Sequence, residues 1–267
     1  APEVTAALAF GFAGETYSFA LSARGDLISA GRLTNFDSSP TGLLDPTKNL
    51  LSFEGVVSTE IGLSIARNFD VMGRELSVGI KPKVVQYDAI FFEESILTID
   101  DSLSDLTEDE VTVELDDVTT VDLGLAMDLS DSWRLGLSVK NLITDEFQVG
   151  LNTLKLAKEY RLGIAYHSAF VTTGFDVDLN AHDPLLANHN FSGLKTQYAA
   201  IGAEFNAFDF MQVRIGASEN IASDIPDGAK ETTYYAGLGF WLGFNLDIAV
   251  ASRDESLGAF LQTGFRF

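Results

Sequence analysis

The sequence predicts an all-β protein, a transmembrane antiparallel up-and-down β-barrel, and three observations predict it. Apolar residues alternate with small or polar ones at period two through almost the whole of its 267 residues, as strands do when their two faces meet different surroundings. The gaps between these runs are short and long by turns, which gathers tight turns at one end of the sheet and long polar loops at the other. The face opposite the apolar one mixes Gly, Ala, Ser and Thr with charges of both signs, which suits a wet interior better than a dry core.

The runs follow in order. Val4, Ala6, Leu8, Phe10 and Phe12 alternate with Thr5, Ala7, Ala9 and Gly11, turn at Ala13–Gly14, and return through Tyr17, Phe19, Leu21 and Ala23. A long loop is expected over 25–50. Ile61, Leu63 and Ile65 lead to a turn at Asp70–Arg74, and Leu76, Val78 and Ile80 return from it before a second long loop over 87–116. Val121 to Leu129 and Trp133 to Val139 flank a turn at Ser130–Ser132 and precede a loop over 141–155. Tyr160 to Tyr166 and Val171 to Leu179 flank Ser168–Ala169, with a loop over 181–193 beyond. Ala199 to Phe205 and Met211 to Ile215 flank Asn206–Asp209, with a loop over 217–231. Tyr234 to Phe240 and Phe244 to Val250 meet at Leu242, and a short loop over 252–257 leads into the last run, Ala259, Leu261, Thr263, Phe265 and Phe267. Asp, Asn, Ser, Gly and Pro fill the gaps, as turn chemistry requires. Aromatics mark several strand ends, among them Tyr17, Trp133, Tyr160, Tyr166, Tyr234 and Phe244, which suits girdles at a membrane interface.

This makes about thirteen strands. The first and last then run the same way, whereas bacterial single-chain barrels are even-stranded. A further strand, together with any plug segment, is therefore expected upstream of Ala1, giving about fourteen strands in the whole protein, with residues 1–267 as a single barrel domain.

Composition narrows the function classes. The 39 acidic and 17 basic residues give a net charge of −22, which repels phosphate backbones and argues against nucleic-acid binding. Mean hydropathy is nonetheless positive, so charge and apolar surface must be segregated. There is no Cys, which excludes disulfides, Cys-ligated zinc and CxxC redox chemistry. No run is long enough for a transmembrane helix. The start APEVTAALAF has neither Met nor a signal-peptide pattern, so a removed signal or an internal start is expected.

From Val139 onward the runs VKNLITDEF, DVDLNAHDPLL, QYAAIGAEFNAFDFMQVRIGASENI and LDIAVASRDESLGAFLQTGFRF resemble the outer-membrane TraF family of plasmid transfer operons. That family is similar to FadL-type long-chain fatty-acid transporter barrels, which have fourteen strands and an N-terminal plug. The resemblance covers roughly the C-terminal half of the chain, and the N-terminal half matches in barrel pattern. It implies a protein of the bacterial outer membrane, associated with conjugation. As function it implies a passive channel or transporter, with a hydrophobic small molecule or conjugation proteins as further partners.

Candidate site residues follow from the alternation. Lys81, Lys83, Asp122, Asp128, Arg134, Lys140, Arg161, Asp176, Asp178, Glu204, Arg214, Asp247 and Arg266 fall on the polar face and are expected to line the lumen. Charges there must pair or stay hydrated. They read either as a salt-bridge network that fills the barrel or as a pore lining that tunes selectivity. Leu261, Phe265 and the terminal Phe267 are expected to form the signal read by barrel-assembly machinery. The acidic run from Glu93 to Asp117 reads as a solvated loop, or as carboxylates bridged through divalent cations to lipopolysaccharide; its spacing does not match an EF-hand. His182, Asp183 and His189 lie in a stretch read as a turn around Asp-Pro rather than a metal site. No GxSxG, P-loop or Ser/His pairing occurs, so neither enzyme activity, cofactor nor metal is expected. The alternatives to a channel are a non-conducting docking barrel presenting acidic extracellular loops, and a soluble β-barrel ligand-binding module.

Overall fold

The computed structural model describes residues 3–14, 16–97, 112–114, 117–144, 146–149, 152–182, 195–208, 210–223, 232–254 and 256–265. Its strands are β1 (Glu3–Ala13), β2 (Tyr17–Thr34), β3 (Leu50–Val71), β4 (Arg74–Ser95), β5 (Thr112–Glu114), β6 (Val118–Asp128), β7 (Trp133–Lys140), β8 (Glu146–Val149) and β9 (Asn152–Lys155), followed by β10 (Glu159–His167), β11 (Val171–Asp178), β12 (Tyr198–Phe208), β13 (Met211–Asn220), β14 (Thr232–Trp241), β15 (Asn245–Arg253) and β16 (Ser256–Gly264). One short 3-10 turn covers Gly42–Leu44. The protein is all-β. Thirteen strands follow one another in chain order from β1 to β16, with β5 joined to β4 beside that path and β8–β9 standing apart as a hairpin. This is the up-and-down antiparallel order that the alternation predicts. The three-residue β5 is a local addition to β4 and not the further strand expected upstream.

The chain divides into two compact units, residues 1–65, 81–121 and 143–156, and residues 66–80, 122–142 and 157–267. In the second unit the register keeps like faces together from strand to strand. Trp133, Leu135, Leu137 and Val139 of β7 stand opposite Tyr166, Ile164, Leu162 and Tyr160 of β10. Ile164 and Leu162 in turn oppose Phe175 and Val177. Leu238 of β14 opposes Ile248, which opposes Leu261. A slip of one residue would reverse every face, and none of these pairs has slipped. The polar face holds a row of glycines, Gly174 opposite Gly202 and Gly202 opposite Gly216, across three consecutive strands. Tyr235 of β14 faces Gly216 at the end of that row.

The turn between β3 and β4 places Met72 at φ 56 and Gly73 at φ 75. Two successive positive φ values make the type I′ hairpin turn, whose twist matches the strands it joins. Glycine takes that conformation freely, whereas an L side chain is strained there. Gly73→Ala is expected to lower stability by about 1–2 kcal/mol, while Met72→Asn, at a fully exposed position that favours Asn, raises it slightly. Equilibrium urea unfolding of the two variants checks both signs.

In the first unit β1 and β2 pair with Phe12 opposite Phe19, Phe10 opposite Leu21 and Leu8 opposite Ala23. Here the structure corrects the expected loops. β2 continues to Thr34 and β4 to Ser95, so much of 25–50 and 87–116 is strand. The cause is visible at Lys81–Tyr87. The face that carries Lys81 and Lys83 goes on to carry Val85 and Tyr87, which are buried, while Val84 and Gln86 opposite them are exposed. The apolar phase changes sides, and a search for one continuous phase ends the strand too early. Similarly, the expected loop over 141–155 contains the β8–β9 hairpin, followed by the buried Leu156.

The connection between β2 and β3 is tied by side chains. Asn49 is buried, accepts from the Asp37 backbone N–H, and donates to the Asp37 and Gly42 carbonyls. Asp37 Oδ1 accepts from the Ser39 backbone N–H at 2.9 Å, and Asp45 Oδ1 from that of Thr47 at 2.9 Å. These backbone donors, with the neighbouring hydroxyls, hold both carboxyls below the usual carboxylate range. A carboxyl with a depressed folded pKa contributes stability above its unfolded value, near pH 4, and loses it as pH falls through the folded value. Proteolysis within residues 35–49 is therefore expected to accelerate below about pH 4, and Asp37→Asn should blunt that acid response.

Candidate functional site

The polar face of the second unit is a set of ion pairs built by strand register. Glu204 on β12 lies directly opposite Arg214 on β13, and Arg214 Nε donates to Glu204 Oε2 at 2.6 Å. Across β14 the same guanidinium reaches Asp247 of β15 through Nη1, while Nη2 donates to Gln212 Oε1 at 2.9 Å. Gly239 on the intervening strand makes that reach possible, because a Cβ there would come within 2.7 Å of Asp247 Oδ1 and 3.2 Å of Arg214 Nη2. A cavity of about 780 Å³ adjoins the cluster, lined by Asn206, Gln212, Trp241 and Asn245 among others.

Further along the face Arg161 Nε donates to Asp178 Oδ1 at 2.7 Å. Asp178 is only 2 % exposed, and its other oxygen accepts from the Tyr198 backbone N–H at 2.8 Å. A buried carboxylate is tolerated only with both oxygens served. Asp176, two residues back on the same face, forms no ion pair or hydrogen bond among the described residues; it lines a second cavity of about 370 Å³ with Ser77, Gly124, Ser138 and Gly163. Near the tight turns Arg134 Nε donates to Asp128 Oδ1 at 2.6 Å, and Glu75 lies 3.8 Å from its Nη2. Towards the loops Lys140 stands 3.7 Å from Glu159, and Asp122 accepts from the Asn141 backbone N–H at 2.9 Å.

In the first unit Glu60 joins two cations at once, with Lys81 on one oxygen and Lys83 Nζ at 2.8 Å on the other. Lys83 is buried. Arg24 pairs with Asp26 at 2.8 Å. Sequence reasoning missed Glu60, Glu75, Glu159, Arg24 and Asp26. Parity alone would have found Glu60, which is two residues before Gly62 on the face of the lysines. Glu75 and Glu159 sit at strand ends that the alternation left uncounted, and Arg24 and Asp26 lie mid-way along β2, where the alternation had already ended the strand.

A family model described as the F plasmid transfer operon TraF protein matches residues 2–178. The chain belongs to this TraF family. The match lies mainly N-terminal to the motifs that suggested it: the resemblance began at Val139, and the two overlap only over Val139–Asp178. No curated protein matches the sequence. Among solved structures the TraF-family chain is similar to CdiB from Acinetobacter baumannii (TM-score 0.44, 12% identity, 98% of this chain and 49% of that one). It is similar as well to the ferric-catecholate import receptor Fiu from E. coli K12 (TM-score 0.44, 9% identity, 97% and 47%). A mutant of the Rh. blastica porin also matches (TM-score 0.37, 13% identity, 94% and 92%). The chain spans about half the length of the first two.

Of the residues expected on the polar face of this TraF-family chain, Lys81, Lys83, Asp128, Arg134, Lys140, Arg161, Asp178, Glu204, Arg214 and Asp247 are brought into ion pairs. Arg266 and Phe267 lie outside the described residues, as do Asp183, His189 and most of the acidic run after Leu97. Leu261 and Phe265 are exposed, and the Phe265 ring lies 5.7 Å from that of Phe244. His182 Nε2 is 3.9 Å from Glu159 Oε1, and no group of three metal-ligating side chains comes together among the described residues.

Proposed function

We propose that the chain is an outer-membrane β-barrel whose apolar face meets lipid and whose paired-charge face lines an aqueous passive channel, serving a conjugal transfer system. The observation that carries this reading is the inversion of an ordinary protein surface. Ile201, Leu261, Leu8 and Phe10 are each at least 60 % exposed, while on the opposite face Asp178 and Lys83 are buried and Glu60, which binds Lys83, is half-buried. Exposed apolar surface of this extent marks contact with a membrane or partner, and only closed sheets satisfy their backbone in hydrocarbon. Aromatic pairs at the tight turns, such as Trp133 with Tyr166 at 5.2 Å and Phe208 with Phe210 at 5.7 Å, suit an interfacial girdle. On this reading lipid, lipopolysaccharide and the barrel-assembly machinery are the first partners, the last through Leu261, Phe265 and Phe267.

Detergent-dependent extraction with heat-modifiable gel migration tests the barrel, and conductance steps in planar bilayers test the channel. A protein soluble without detergent overturns the first. Inserted protein without conductance favours the second reading, a docking barrel, which the near-complete pairing of charges on the polar face supports.

A further inference from the structure

The channel reading leaves open what passes, and the second unit supplies an answer that rests on that reading. We propose that its polar face selects small monovalent cations over anions. An anion entering the larger cavity would need a free cationic donor, and Arg214 is the cation there. Each of its nitrogens is already committed, to Glu204, to Asp247 and to Gln212. One positive charge is thus set against two carboxylates, and Glu204 Oε1 and Asp247 Oδ2 accept no hydrogen bond among the described residues. A desolvating cation finds those oxygens unspent; an anion meets a cluster whose net charge is negative.

The smaller cavity repeats the imbalance independently. Its cation, Arg161, is bound to the buried Asp178, whose second oxygen serves Tyr198. Asp176 lines the same cavity, close enough to Arg161 to act on it through space but with no hydrogen bond or ion pair among the described residues. The chain keeps room for this carboxylate at some cost to the strand: at Gly163 a Cβ would come within 2.2 Å of Asp176 Oδ1, and glycine weakens a strand interior. In the larger cavity two carboxylates thus face one cation, and in the smaller one Arg161 is hydrogen-bonded to Asp178 while Asp176 accepts no hydrogen bond among the described residues.

The test is the reversal potential of the purified chain in planar bilayers under a potassium chloride gradient. The expected result is cation selectivity that declines as the salt rises from 0.1 to 1 M, where the screening length shrinks from about 10 Å to about 3 Å. Asp176→Asn breaks no bond seen in the structure, so it should insert with unchanged heat-modifiable migration. It should lower the potassium-over-chloride permeability ratio roughly two- to fivefold at low salt. A conducting wild type without cation preference overturns the proposal, as does an Asp176→Asn channel with an unaltered reversal potential. A correctly inserted wild type that carries no current overturns the channel reading itself, and this inference with it.

Discussion

Ile201→Arg is expected to destabilise the protein by about 2–4 kcal/mol, whereas Ala200→Arg, one residue away, should stay within about 1 kcal/mol of the parent. The two positions face opposite ways on β12. Ile201 stands opposite Phe175 and Ala217 on the apolar face and is 62 % exposed. In water, an arginine at so exposed a site would be harmless. In hydrocarbon, the guanidinium must be dehydrated or must drag water and headgroups towards it. Ala200 stands opposite Asp176, so an arginine there gains a carboxylate that accepts no hydrogen bond among the described residues. Urea unfolding of both variants in lipid vesicles measures the difference. Equal and small effects would mean that water, and not lipid, covers the apolar face.

The second large effect is expected at Asp178. Asp178→Ala removes the acceptor of both Arg161 and the Tyr198 backbone N–H. Deleting one partner of a buried pair costs about 3–5 kcal/mol. Because the Arg161 side chain is 43 % exposed and can turn to water, about 2–4 kcal/mol is expected here. Asp178→Asn keeps an oxygen for Tyr198 and loses the charge, so it should lose about half as much. The ordering of the two variants in equilibrium unfolding separates the hydrogen-bonding role from the electrostatic one. If both behaved like the parent, the ion pair would contribute nothing to the fold.

The legibility of this fold varies along the chain for a physical reason. From Val121 onward the strands of the sheet keep most of their apolar residues on one phase, Tyr235 and Phe260 being exceptions, and the pairs that alternation implies, such as Leu137 with Leu162 or Leu238 with Ile248, are those observed. Period two carries face and register together wherever one side is uniformly apolar. It fails in β4, where Val85 and Tyr87 are buried on the face that the lysines occupy. Membership of the polar face was readable for Arg214, Glu204 and Asp247, but their meeting was not. That depends on Gly237 and Gly239 leaving the intervening strand bare, and on Asp247 lying one strand further on. A sequence lists charges on a face; only register decides which of them can touch.

The glycine row of β11, β12 and β13 has a mechanical consequence. Curving a sheet towards one face crowds the side chains there, and that crowding resists the bend. Along Gly174, Gly202 and Gly216 nothing stands on the polar face to be crowded, except where the Tyr235 ring comes near Gly216. The row is a crease: elastic compliance concentrates along it, so that lateral pressure applied to the sheet is taken up first at this line.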